Sequence, residues 1–168
     1  MCGLPFSGKS VLAAALSREL RIRLLSYDYD LYPVHSRRAA AGSSVAAEYD
    51  YVQDIARREI SAILASGESL IYDDLLLERG HRRKLAAVAE AHWTELVLVY
   101  LDTPLPVIEE RRAANSRTRA RTSVPDGTMR LDSSLLEPPD DAERPIRVSP
   151  GYVLPEVLAN VSARFTRN

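Results

Sequence analysis

The sequence predicts an α/β domain, a three-layer α/β/α sandwich on a parallel sheet, and three observations predict it. Short apolar runs near residues 23–26, 69–72 and 95–101 alternate with stretches whose apolar residues recur at helical spacing. Strands that alternate with helices pair in parallel through right-handed crossovers. The run Glu95-Leu96-Val97-Leu98-Val99-Tyr100-Leu101 shows no polar alternation, as a strand covered on both faces requires. Finally, Gly3-Leu4-Pro5-Phe6-Ser7-Gly8-Lys9-Ser10 is a complete G-x-x-x-x-G-K-[ST] phosphate-binding loop, a turn that leads from a strand into a helix.

Each element follows in order. Leu12, Leu16 and Leu20 recur at i, i+4, i+8 behind the loop and predict an amphipathic helix. Arg23-Leu24-Leu25-Ser26 reads as a short buried strand that ends in an extended Tyr27-Asp28-Tyr29-Asp30, and residues 32–44, with Pro33 and Gly42, read as a mobile connection. Val45, Tyr49, Val52, Ile55, Ile60 and Ile63 mark a helix over 45–64 that Gly67 stops. Ser69-Leu70-Ile71-Tyr72 is the next strand and ends at Asp73-Asp74; a helix spans about 78–92, and Trp93 is expected to pack beside the strand that follows. Asp102-Thr103-Pro104 turns into another helix. Beyond residue 112 come an arginine-rich stretch, a segment broken by Pro125 and Gly127, an acidic patch at 137–141, a strand near 146–148 and a helix from Leu154.

One requirement is unmet. Only Met1 and Cys2 precede Gly3, too few residues for the strand that should enter the loop, so the first strand reads as truncated, with roughly four to six apolar residues expected upstream.

Composition sets the remaining bounds. At 168 residues and 46% apolar content, the chain fits a single domain over 1–168 with a full core. A formal net charge of −1 gives no overall attraction to nucleic acid or to an anionic membrane, so any contact with nucleic acid must be local. The lone Cys2 has no partner for an internal disulfide, no apolar run is long enough to cross a bilayer, and no signal peptide is visible, so a cytoplasmic protein is expected.

The chemistry follows from the loop. Its two glycines let backbone wrap around a phosphate, and the amides of the next helix point their partial positive charge at the same oxygens. Residues Gly3, Leu4, Pro5, Phe6, Ser7, Gly8, Lys9, Ser10 and Val11 are thus the candidate ATP-binding set. Lys9, one of only two lysines in the chain, would reach the β and γ phosphates, and Ser10 would place its hydroxyl on Mg2+. Strand ends carry chemistry in open α/β sheets. Asp28 is therefore the candidate base for an acceptor hydroxyl, with Asp30 as the alternative in a shifted register, and Asp73 the candidate magnesium carboxylate, with Asp74 capping the next turn. The arginines from Arg111 to Arg121, with no acidic residue among them, read as a mobile lid over about 111–124 in which Arg112 and Arg117 meet the phosphates. His35, His81 and His92 show no metal-ligand spacing.

Taken together, the loop, Ser26-x-Asp28, Leu70-Ile71-Tyr72-Asp73-Asp74, Arg82-Arg83-x-Leu85, Val97 to Pro104 and Glu137-Pro138-Pro139 resemble the small bacterial phosphate-loop kinases of the AAA-type ATP-binding group. That group is similar to zeta toxins, chloramphenicol phosphotransferase, the kinase domain of phage polynucleotide kinase and seryl-tRNA kinase. The resemblance implies a P-loop NTPase fold with a five-stranded parallel sheet in the order 2-3-1-4-5. It also implies ATP and Mg2+ at Gly3 to Ser10, Asp28 as the carboxylate that activates the acceptor, and a lid in the arginines after Arg111. In the group the segment around Gly127 is helical; here Gly127 is expected to interrupt it. A kinase acting on a hydroxyl of a small molecule or a nucleic-acid end is the reading that results. The alternative is a nucleotide-binding module without transfer chemistry.

Overall fold

The computed structural model describes residues 1–36 and 44–165. Its strands pair in two parallel ladders. β1 (Arg23–Ser26) lies against β2 (Leu70–Asp73), with Arg23 opposite Leu70 and Ser26 opposite Asp73. β3 (Val99–Leu101) lies against β4 (Ile146–Val148), with Val99 opposite Ile146.

Residues 1–3 join the two ladders. The amino group of Met1 donates to the Tyr72 carbonyl at 2.7 Å. Cys2 N–H donates to Val99 O at 2.8 Å, Leu101 N–H to Cys2 O at 2.9 Å, and Gly3 N–H to Leu75 O at 3.0 Å. Cys2 is thereby a parallel bridge partner of Tyr100. Across the sheet the order is β1, β2, residues 1–3, β3, β4, which is the expected 2-3-1-4-5 order with a stub in the central place.

One strand is shorter than expected. β3 was expected over 95–101 and is confined to Val99–Leu101. Preceding residues Leu96 to Leu98 run along an apolar cavity of about 130 Å³, lined also by Met1, Leu16, Leu70, Ile71 and Val161, instead of along a central strand. On the other edge the ladder with β4 also begins only at Val99, opposite Ile146, which Pro145 precedes.

Helices cover both faces. α1 (Lys9–Leu20) sends Leu12, Ala13 and Leu16 onto Val99, Leu101, Ile146 and Val148, where α7 (Leu154–Phe165) adds Val157 and Val161. On the other face α3 (Val45–Ala65) and α4 (Arg79–Ala91) bury Val52, Ala56, Ile60 and Leu85 against Leu25, Tyr72, Leu98 and Tyr100. Full burial of each aliphatic side chain contributes about 1.5–3 kcal/mol, so these two layers hold the sheet.

Four local expectations change. Tyr27–Leu31 is a π-helical turn, not extended backbone, and Tyr32–His35 forms a short helix, α2. The rest of the expected mobile connection, residues 37–43, lies outside the described residues. Trp93 is 95% exposed, because α4 ends at Ala91 and the chain reverses through a positive φ of 54° at Trp93. After α5 (Leu105–Thr118), Gly127 does not break the chain's helix; it sits in the first turn of α6 (Asp126–Leu135), where Pro125 precedes it and few intrahelical bonds are at stake. No helix among the described residues is long and apolar enough to cross a membrane.

Candidate active site

The phosphate loop is held from below and from one side. Gly3 is required by close approach, since a Cβ there would stand 2.9 Å from the Leu101 carbonyl oxygen, and its φ of 139° is open only to glycine. Gly8, at φ 107°, is the left-handed residue before α1 and offers no capping side chain. The first amides of α1 are therefore left for an anion, which a helix N-terminus attracts. Thr103 Oγ1 donates to Ser7 O at 3.1 Å. Arg111 Nη1, from α5, donates to Phe6 O at 3.0 Å and Ser7 O at 2.7 Å. Lys9 is buried, and its ammonium donates to Leu4 O at 2.8 Å. Burial lowers its pKa, and Asp73 and Asp74 oppose that shift.

Two cavities flank the loop. One, of about 180 Å³, is lined by Lys9, Ser10, Asp28, Asp73, Asp74, Arg121 and Asp132, among others. The π-helical turn after β1 separates the two early aspartates. Asp28 faces this cavity, whereas Asp30 turns back to accept from Ser26 N–H at 2.7 Å. Asp28 as a whole residue is exposed, yet partial desolvation of its carboxyl is the largest cause of a raised pKa, with Lys9 opposing.

Asp73 and Asp74, at the end of β2, differ in their bonding. Asp74 is buried and accepts from Tyr49 Oη at 2.7 Å and Gln53 Nε2 at 2.6 Å, both from α3. Burial raises its pKa and these bonds lower it. Asp73 is equally buried, but its Oδ1 has no hydrogen-bond partner. An unpartnered carboxylate oxygen in the same cavity as the Ser10 hydroxyl suits a hard divalent cation that keeps waters and phosphate oxygens as further ligands. Among the described residues no group of three or more His, Cys, Asp or Glu side chains is arranged to hold a metal unaided.

The second cavity, of about 500 Å³, lies across Phe6–Gly8 and is lined by Val11, Arg111, Ala114, Thr118, Pro150 and Tyr152, among others. Apolar flanks with few polar groups suit a flat heterocycle. Of its lining residues only Phe6, Ser7, Gly8 and Val11 belong to the expected ATP-binding set. Pro150 and Tyr152 follow β4, far from the loop in sequence, and carried no readable signal.

The arginines divide differently from expectation. Arg112 is expected at the phosphates, but it points away, pairing with Asp126 and donating to Val124 O at 3.1 Å, so it ties α5 to α6. Arg117 is exposed on the last turn of α5 and lines neither cavity. Arg121 lines both, with its guanidinium 4.5 Å above the Phe6 ring centroid. Asn115 clasps that residue's backbone, accepting from Arg121 N–H at 3.0 Å and donating to Arg121 O at 3.1 Å. Nothing in the arginine-rich stretch of the sequence marks Asn115 for this clasp, because it depends on the burial of that side chain at the end of α5.

Comparison with known proteins follows the same outline. The family model described as an AAA domain matches residues 1–139. A sugar kinase from Janibacter sp. HTCC2649 shares 17% identity over 98% of this chain and 91% of its own, at a TM-score of 0.69. The APS kinase of Mycobacterium tuberculosis, solved with AMPPNP and APS, shares 23% identity over 98% of this chain and 94% of its own, at 0.65. A gluconokinase from Sinorhizobium meliloti 1021 shares 20% identity over 99% and 89%, at 0.65. No curated protein matches.

Proposed function

Because the chain belongs to the AAA domain family and has the α/β P-loop fold of small kinases, we propose that it is an ATP-dependent kinase that transfers the γ-phosphate to an alcohol. What supports this reading is that Lys9, Ser10, Asp28 and Asp73 line one cavity, while a second cavity with room for a nucleobase opens across the loop.

In this reading the amides of Gly8–Ser10, at the start of α1, and the Lys9 ammonium hold the β and γ phosphates, and the base lies between α5 and Tyr152. Ser10 and Asp73 hold Mg2+, which when bound offsets charge on the phosphates. Asp28 orients the acceptor hydroxyl and takes its proton as the acceptor oxygen bonds to the γ-phosphorus and the bond to the β–γ bridging oxygen breaks, leaving ADP. A carboxylate with a raised pKa is a better proton acceptor for this step. Arg121, held over Phe6, supplies the cation that a lid arginine would bring. The acceptor is a small hydroxyl compound.

Calorimetric titration with ATP, followed by a radiolabelled-ATP screen of alcohols, tests the proposal. Wild-type protein binds ATP and labels at least one alcohol; Lys9→Ala weakens ATP binding by about thirtyfold or more, the scale of a lost charge-assisted bond. Unchanged affinity in Lys9→Ala removes the loop's assigned role. ATP bound with no alcohol labelled returns the chain to a nucleotide-binding module.

A further inference from the structure

Asp132 takes no part in the assignments above, yet it faces the transfer cavity from a third side. α6 is anchored on the loop itself: Met129 is buried with Leu4, Phe6 and Ile108. Three residues later, on the same helical face, Asp132 lines the cavity at 8% exposure, and no donor among the described residues bonds to it. Burial is the main cause that pushes its pKa up to about 6; Lys9 opposes and Asp74 adds to it.

A carboxyl so enclosed is costly unless something bonds to it. Apart from Thr128, one turn before Asp132 on α6, the other polar side chains of the cavity are engaged or assigned. Asp74 holds two α3 donors, and the Lys9 ammonium is bonded to Leu4 O. Arg121 lies over Phe6. Asp28 and Asp73 carry the acceptor and magnesium roles. Among the described residues, then, no donor in the chain bonds to Asp132, and the wall it shares with Asp28 is acidic.

We propose that Asp132 is an acceptor-recognition residue whose carboxyl accepts a hydrogen bond from a second hydroxyl or an ammonium of the acceptor, and that the acceptor presents no anionic group to α6. This rests on the kinase reading. A hydroxyl and an ammonium share the chemistry the carboxyl requires, namely an N–H or O–H donor. An anion placed there would meet Asp132 and Asp28 together, while the two cations of the cavity, Lys9 and Arg121, are taken in this reading by the nucleotide phosphates.

Steady-state rates with MgATP and three six-carbon probes, glucosamine, glucose and gluconate, test it in wild type, Asp132→Asn and Asp132→Ser. Glucosamine or glucose is expected to exceed gluconate by about tenfold or more in kcat/KM. Glucosamine ahead of glucose identifies an ammonium donor, and equality identifies a hydroxyl. Both variants are expected to raise the acceptor KM about tenfold while the KM for ATP stays within about twofold, a split that a merely structural carboxyl would not produce. Gluconate equal or superior in wild type overturns the proposal, as do parallel shifts of both KM values or no turnover of any probe. Failure of the kinase reading is distinct: wild type then labels no alcohol at all in the wider screen, whereas labelling of an anionic alcohol there removes only the role of Asp132.

Discussion

The phosphate loop and the acidic wall opposite it line the same cavity under contrary rules. Loop carbonyls are tied: Leu4 O by Lys9, Phe6 O by Arg111, Ser7 O by both Thr103 and Arg111. On the wall, among the described residues, Asp73 Oδ1 has no partner, and Asp132 lines the cavity with no donor bonded to its carboxyl. A surface whose bonds are already made holds its shape before a ligand arrives, which is what phosphate positioning demands. A surface with open valences gains them only from a ligand, and such groups lower stability in exchange for recognition.

The largest effect that would break this contrast is at Asp28. Asp28→Asn is expected to lower kcat by about a hundredfold or more while ATP affinity changes by less than about twofold. Retained turnover would make Asp28 structural, and the wall would lose its chemical member. On the loop side, Arg111→Met frees the Phe6 carbonyl and leaves Ser7 O held by Thr103 alone. ATP affinity, read by titration, is expected to fall about tenfold, the worth of one or two net hydrogen bonds. An unchanged affinity would mean that the loop keeps its shape without α5.

The smallest effect separates the two regions by sign. The folded pKa of Asp132 lies above the ordinary carboxylate value, so the folded state holds the proton more tightly than the unfolded chain does. Its charged form therefore costs stability above about pH 6, and that cost fades as pH falls toward about 4. Asp132→Asn is expected to stabilise the protein by about 1–2 kcal/mol near neutral pH, discounted for partial solvent access, with the gain vanishing toward about pH 4. Denaturant melts at several pH values check it. A destabilised Asp132→Asn would place the carboxyl among the tied groups.

The same contrast governs what can be read from the chain. The loop is local: eight consecutive residues, Gly3 to Ser10, carry its turn, its glycines and its cations, so its geometry is legible without a fold. That Asp28 and Asp73 line one cavity was legible because Asp73 closes β2 and Asp28 follows the end of β1 by two residues, and strand ends converge in an open parallel sheet. Asp132 was not, since its position depends on α6 packing Met129 against Phe6, and Pro125 and Gly127 read as a break at that point. Arg112 and Arg117 were chosen by charge alone, while what selects Arg121 is the distant clasp of Asn115 and the ring of Phe6. The length of β3 depends on neighbours, not on its own apolar run.

Arg111 has a mechanical consequence. One guanidinium grips two successive carbonyls of the loop, and the helix that carries it forms a wall of the cavity proposed for the base. A heterocycle too wide for that space would tilt α5, and the tilt would pull the loop with it as a lever moves its load. Discrimination between nucleobases would then register as misaligned phosphates, hence as slow turnover, even where the wrong nucleotide still binds.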